Sequence, residues 1–139
     1  MLPISDSHRD LIDGIPYAVL TTLMPNGQPQ TTPIWFNCEG DFVLINTMRG
    51  FRKEKNMRLN PRVTLLLYDP ANPLHNLELR GTVVEMTELG ALEHLNQLTC
   101  RCLEKAEAHF FGDSISADLE GTYHPVKIKI APTRVRLEG

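Results

Sequence analysis

Two tight turns divide residues 17–46 into three short apolar stretches, and no other feature limits the fold of this chain as strongly. Tyr17 to Leu23 alternates loosely and reads as a strand. Pro25-Asn26-Gly27 follows, with proline suited to the first corner of a turn and Asn-Gly tolerant of positive φ. A return strand then runs from about Gln28 to Phe36, and a second turn, Cys38-Glu39-Gly40-Asp41, leads into Phe42 to Asn46. Three runs so punctuated predict an antiparallel meander.

The rest of the chain extends that pattern. Residues 6–14 read as a short helix closed by Gly14, and Arg49 to Leu59 as a second one stopped by Asn60-Pro61. Val63 to Tyr68 is continuously apolar, as a buried strand is. Pro70-Ala71-Asn72-Pro73 reads as a loop, and Leu77 to Met86 as a long strand whose apolar phase shifts across Gly81, the mark of a bulge. Thr87 to about Lys105 carries Leu89, Leu92, Leu95 and Leu98 and reads as the strongest helix, with His94 expected on its exposed side. Residues 106–123 have no clear period. Val126 to Ile130 alternates strictly, and Thr133 to Leu137 pairs with it or follows it as a last strand. Six or seven strands with flanking helices and short connections predict a mainly β (α+β) class, a closed or partly closed antiparallel barrel. At 139 residues and 15.7 kDa, with no repeat or linker, residues 1–139 are expected to form one domain.

Composition narrows the function. A net charge of −3, a pI of 5.9 and 6% aromatic residues do not suit a single-strand nucleic-acid groove, which needs basic and aromatic surface together. No apolar run reaches the roughly 20 residues of a membrane-spanning helix. Met1-Leu2-Pro3-Ile4-Ser5-Asp6 lacks the regions of a signal peptide, so a cytoplasmic location is expected. Cys38, Cys100 and Cys102 read as reduced thiols, since Cys100-Arg101-Cys102 has no second pair to complete a zinc site. The five histidines form no metal or catalytic spacing, although His124, just before Pro125, is placed to line a pocket. No protein side chain is singled out as catalytic, and any chemistry is expected to come from a bound cofactor.

Two local features point to a ligand. Asn46-Thr47-Met48-Arg49-Gly50-Phe51-Arg52-Lys53-Glu54-Lys55-Asn56 lies where a strand gives way to a helix and holds four of the chain's 14 Lys and Arg residues. Strand end, helix start and nearby positive charge together suit a phosphate, although a merely solvated basic helix has the same spacing. In Gln30-Thr31-Thr32-Pro33-Ile34-Trp35, Pro33 interrupts a well-defined strand and so predicts an edge or an opening. Trp35, the only tryptophan, reads more readily as a core or subunit-interface residue than as a ring-stacking one.

Together with Thr21-Thr22-Leu23, Pro25-Asn26-Gly27, Asn56, Asn60-Pro61-Arg62-Val63 and Leu77-Glu78-Leu79-Arg80-Gly81-Thr82-Val83, these motifs resemble the pyridoxamine 5′-phosphate oxidase-like split-barrel family. The resemblance is to its small flavin- and deazaflavin-dependent oxidoreductases. It implies a dimeric split antiparallel β-barrel with a cofactor in a groove at the subunit interface, and a small-molecule substrate. It further implies that Arg52 and Lys53 hold the cofactor phosphate with help from Asn46 and Thr47, and that Gln30, Thr31, Thr32, Pro33 and Ile34 border the ring. Phe51 stands where many deazaflavin-dependent relatives carry a basic residue, while the Arg-Lys pair is closer to the flavin mononucleotide (FMN) branch. The implied cofactor is therefore FMN or the deazaflavin coenzyme F-420. A non-catalytic carrier or sensor of such a cofactor is the alternative to an oxidoreductase.

Overall fold

The computed structural model describes residues 4–139; Met1, Leu2 and Pro3, part of the opening read above as unlike a leader, lie outside the described residues. Six strands, β1 (Tyr17–Leu23), β2 (Pro29–Glu39), β3 (Phe42–Met48), β4 (Arg62–Asp69), β5 (Asn72–Thr87) and β6 (Pro125–Glu138), close in the order β1-β2-β3-β6-β5-β4. All pairings are antiparallel, and β4 returns to β1. The helices α1 (Arg9–Asp13), α2 (Arg52–Leu59) and α3 (Ala91–Leu103) flank the barrel. No helix among the described residues is long and apolar enough to cross a membrane.

The interior is filled from alternate positions of the strands. Ala18, Leu20, Ile34, Phe36, Val43, Ile45, Leu65, Leu67, Leu77, Leu79, Ile128 and Ile130 form its buried cluster. The two stretches predicted near the C-terminus are one continuous strand, because β6 is long enough to pair with β3 through Val43–Met48 and with β5 through Asn76–Thr87. The expected loop at 70–73 is shorter, since β5 already begins at Asn72. The bulge at Gly81 is present as a register shift between Arg80 and Gly81 against β6.

Two helix boundaries differ from the sequence reading. Gly50 takes φ +86°, which ends β3 in a turn, so α2 starts at Arg52 and Arg49 lies ahead of it. The helix expected from Thr87 starts at Ala91, after Gly90 at φ +71°. Steps of three residues advance 60° short of a full turn, so Leu89 and Leu98 would lie about 180° apart on one helix. The face that α3 buries is Ala91, His94, Leu95, Leu98 and Thr99. Leu89 is exposed, and His94, expected on the solvent side, is buried at 2% exposure.

One tertiary bond replaces a missing ladder bond. Phe36 donates its N–H to the Pro16 carbonyl at 3.1 Å, but Pro16 has no N–H to return. The Arg101 guanidinium of α3 donates to the Phe36 carbonyl instead, and to the carbonyls of Ile12 and Ile15. It also lies over the Phe36 ring, 4.8 Å from its centre.

Candidate ligand-binding cleft

The barrel opens between β2 and β3. β2 pairs with β1 over Pro29–Trp35 but with β3 only over Phe36–Glu39, while β3 continues to Met48 against β6. Hydrogen-bonded pairs alternate along an antiparallel ladder. With Phe36 bonded to Pro16, the backbone groups of Thr31 and Pro33 turn away from β1, on a side where no strand pairs with them. Pro33 thus marks an opening, as its sequence context predicts.

A cleft of about 370 Å³ occupies that opening. Pro33, Ile34 and Trp35 of β2 face Asn46, Thr47 and Met48 of β3 across it, Lys53 of α2 and Leu95 and Leu98 of α3 close two further sides, and Phe110 and Ser114 cover it. The covering residues come from the stretch that showed no period. Its irregular turn, Phe110–Ser114, is held by Phe110 N–H donating to Asn96 Oδ1 at 2.9 Å and His109 N–H donating to Asp113 Oδ2 at 2.7 Å. Trp35 meets Phe110 edge to face with ring centres 6.0 Å apart, and Phe51 meets Tyr123 in the same way at 5.8 Å. Trp35 is half-buried on the cleft wall rather than a core residue.

Five residues expected to bind a cofactor, Pro33, Ile34, Asn46, Thr47 and Lys53, line this one cleft. The other four are not among its lining residues. Gln30 is tied through Oε1 to Thr22 and to Asn56 Nδ2, both at 3.3 Å, and Thr31 pairs with Thr21 on the outside of β1. Thr32 is half-buried beside them. Arg52 is exposed at the first position of α2, whose N-terminus has no side-chain cap. Of the neighbouring cations, Arg49 pairs with Glu88 and Arg58 with the buried Glu54 at 2.6 Å, while Lys55 is exposed on α2 and does not line the cleft. His124 is exposed and does not line the cleft.

Lys53 is the single charged residue of the lining, and neither it nor Arg52 makes an ion pair among the described residues. Burial holds the Lys53 ammonium below the usual lysine range. Asn46 is 5% exposed and its Nδ2 donates to the Ala91 carbonyl at 2.9 Å and to His94 Nδ1 at 3.1 Å. His94 was missed as a site residue because its role needs a neighbour 48 positions away. Among the described residues no cluster of His, Cys, Asp and Glu is arranged to hold a metal.

Comparison with solved structures gives the same barrel. One described as an F420 reductase superposes with a TM-score of 0.78 at 24% identity, over 96% of this chain and 98% of that one. A conserved hypothetical protein from Mycobacterium tuberculosis superposes at 0.71 and 22% identity, over 98% and 85%. HutZ, a heme storage protein from Vibrio cholerae, does so at 0.62 and 14%, over 94% and 92%. At these identities the likeness is one of fold. No curated protein matches the chain. The family model for pyridoxamine 5′-phosphate oxidase, by contrast, matches residues 4–137, almost the whole chain, which therefore belongs to the pyridoxamine 5′-phosphate oxidase family of split barrels.

Proposed function

We propose that this protein is an oxidoreductase that holds a flavin-type cofactor, FMN or coenzyme F-420, in the cleft between β2 and β3. The observation that carries the reading is Lys53, a half-buried cation with no carboxylate partner in an otherwise uncharged and largely apolar cleft. An anion placed beside it would restore the favourable environment that burial removes. Arg52 and the uncapped N–H groups at the start of α2 lie next to it, so a phosphate there meets two cations and a helix N-terminus. Thr47, which lines the cleft, adds a hydroxyl with no side-chain hydrogen bond among the described residues.

The remaining residues suit a flat ring. Pro33, Ile34 and Trp35 give one wall, and Gln30, Thr31 and Thr32 continue it toward the open edge of β2, where Thr31 retains an unpaired backbone N–H. Leu95, Leu98 and Phe110, on a further side and over the cleft, would exclude water from it. When bound, such a cofactor supplies hydride transfer to or from a small organic substrate. The protein anchors, orients and desolvates. A dimer, with the cleft completed by a second chain, belongs to the same reading, as does a cytoplasmic setting.

Removing both cations tests the assignment. Arg52→Ala with Lys53→Ala is expected to weaken cofactor binding about 100-fold, two charge-assisted bonds at about 1.5 kcal/mol each. Unchanged affinity by equilibrium dialysis would sink it.

Among the described residues the lining holds no histidine, cysteine or carboxylate, and this favours a second reading, a carrier or sensor that binds the cofactor without turnover. Assay of the reduced cofactor against a panel of acceptors separates the two. Steady oxidation dependent on the protein indicates an enzyme, and stoichiometric binding without it a carrier.

A further inference from the structure

Asn46 ends a buried polar relay whose orientation can be worked out atom by atom. The Ala91 carbonyl only accepts, so the Asn46 side-chain nitrogen must be the atom facing it. The same nitrogen donates to His94 Nδ1, which therefore carries no proton. The ring proton sits on Nε2 and is donated to Asn37 Oδ1 at 2.9 Å. Asn46 Oδ1 is left buried without a partner. The other such atom among the described residues, Asn56 Oδ1, belongs to the Thr22–Gln30 network and not to the cleft lining.

We propose that neutral His94 is a positioning residue that, together with the Ala91 carbonyl, fixes the Asn46 amide so that the cleft wall offers a carbonyl oxygen that selects ring ligands with an N–H donor at that point. This rests on the flavin reading above and moves Asn46 from the phosphate to the ring. A phosphate oxygen is itself an acceptor and gains nothing from an unsatisfied carbonyl, whereas an oxidised flavin or deazaflavin ring has a single ring N–H, at N3. A buried acceptor left unmatched costs a ligand far more than a made bond gains it, so the discrimination is sharp. Burial, with a smaller contribution from Lys127 on β6 and against an opposing one from Glu39 on β2, pushes His94 down to about 4. The neutral tautomer therefore persists at neutral pH.

The experiment compares dissociation constants, read from Trp35 fluorescence, for whichever of FMN and coenzyme F-420 binds and for the N3-methyl derivative of that cofactor. Wild-type protein is expected to prefer the unmethylated form by about tenfold or more. His94→Leu removes one of the two acceptors that hold the Asn46 nitrogen, leaving the Ala91 carbonyl alone, and the ratio falls. His94→Gln, able to accept from Asn46 and donate to Asn37, restores it. Each ratio is taken within one protein, so partial loss of folded material does not move it. A wild-type ratio near one, the outcome if a ribityl hydroxyl is the donor, overturns the proposal and leaves the flavin site standing. So does an unchanged ratio in His94→Leu. Binding of neither cofactor overturns both.

Discussion

Asn46, His94 and Lys53 show how much of this cleft is decided by polar groups held out of water. His94 also makes the fold sensitive to acid. Its pKa in the folded chain is about 4 against 6.5 ordinarily, so the unfolded chain takes up a proton first as pH falls. The stability it contributes is complete above about 6.5 and drains away between 6.5 and about 4, a loss of about 3 kcal/mol over that window. His75 has the opposite sign: its hydrogen bond to Asp10 raises its pKa, so its contribution is complete below 6.5 and is lost at higher pH, outside that window. Urea unfolding at pH 7 and pH 4.5 should show a steeper loss for wild type than for His94→Gln, and equal losses would contradict the buried neutral state. Lys53 was legible in sequence as a cleft residue because a basic cluster at a strand-to-helix junction is a local pattern. His94 was not, since a histidine among leucines spaced by three has no sign of its partner in the chain around it.

Some punctuation is legible in the chain and some is not: the helix starts after Gly50 and Gly90 and the length of the loop before β5 differ from the sequence reading, as does the shape of residues 106–123. Asn-Gly after proline, Asn60-Pro61 and the phase break at Gly81 act within a few residues, and each produces the expected turn, stop or bulge. Gly81 has a packing reason as well. A Cβ there would lie 2.6 Å from Ile130 Cγ2 and 3.0 Å from the Ala131 carbonyl oxygen. Gly81→Ala is expected to cost about 1–3 kcal/mol through this overpacking and to leave ligand binding intact, since it lies outside the cleft. An unchanged urea midpoint would show that β6 yields without cost. Residues 106–123 have no periodic signal because bonds to Asn96, Asp113 and the cluster of Met48, Leu95 and Phe111 shape them. They nevertheless supply Phe110 and Ser114 to the cleft.

At the scale of the whole molecule, a closed six-stranded barrel parts along one seam, where, among the described residues, strand backbone without a ladder partner, the unpaired Lys53 and the aromatic rings of Tyr17, Trp35, Phe51 and Phe110 border one cleft. The barrel followed from strand count and turn spacing; the location of the cleft required knowing that β2 and β3 separate beyond Phe36 and Ile45. One chain leaves the cleft open on a side, and Arg52 and Thr31, close in sequence to its lining, are exposed. Sedimentation is therefore expected to show a dimer, and a monomer at working concentrations would count against an enclosed ring site. The most direct measurement is Trp35 fluorescence during parallel titrations with FMN and coenzyme F-420, checked by equilibrium dialysis. Saturable quenching by one of them at one cofactor per chain is the expected result, because Trp35 stands on the wall that the ring would touch. No saturable response to either would leave the barrel in place and remove the flavin site from it.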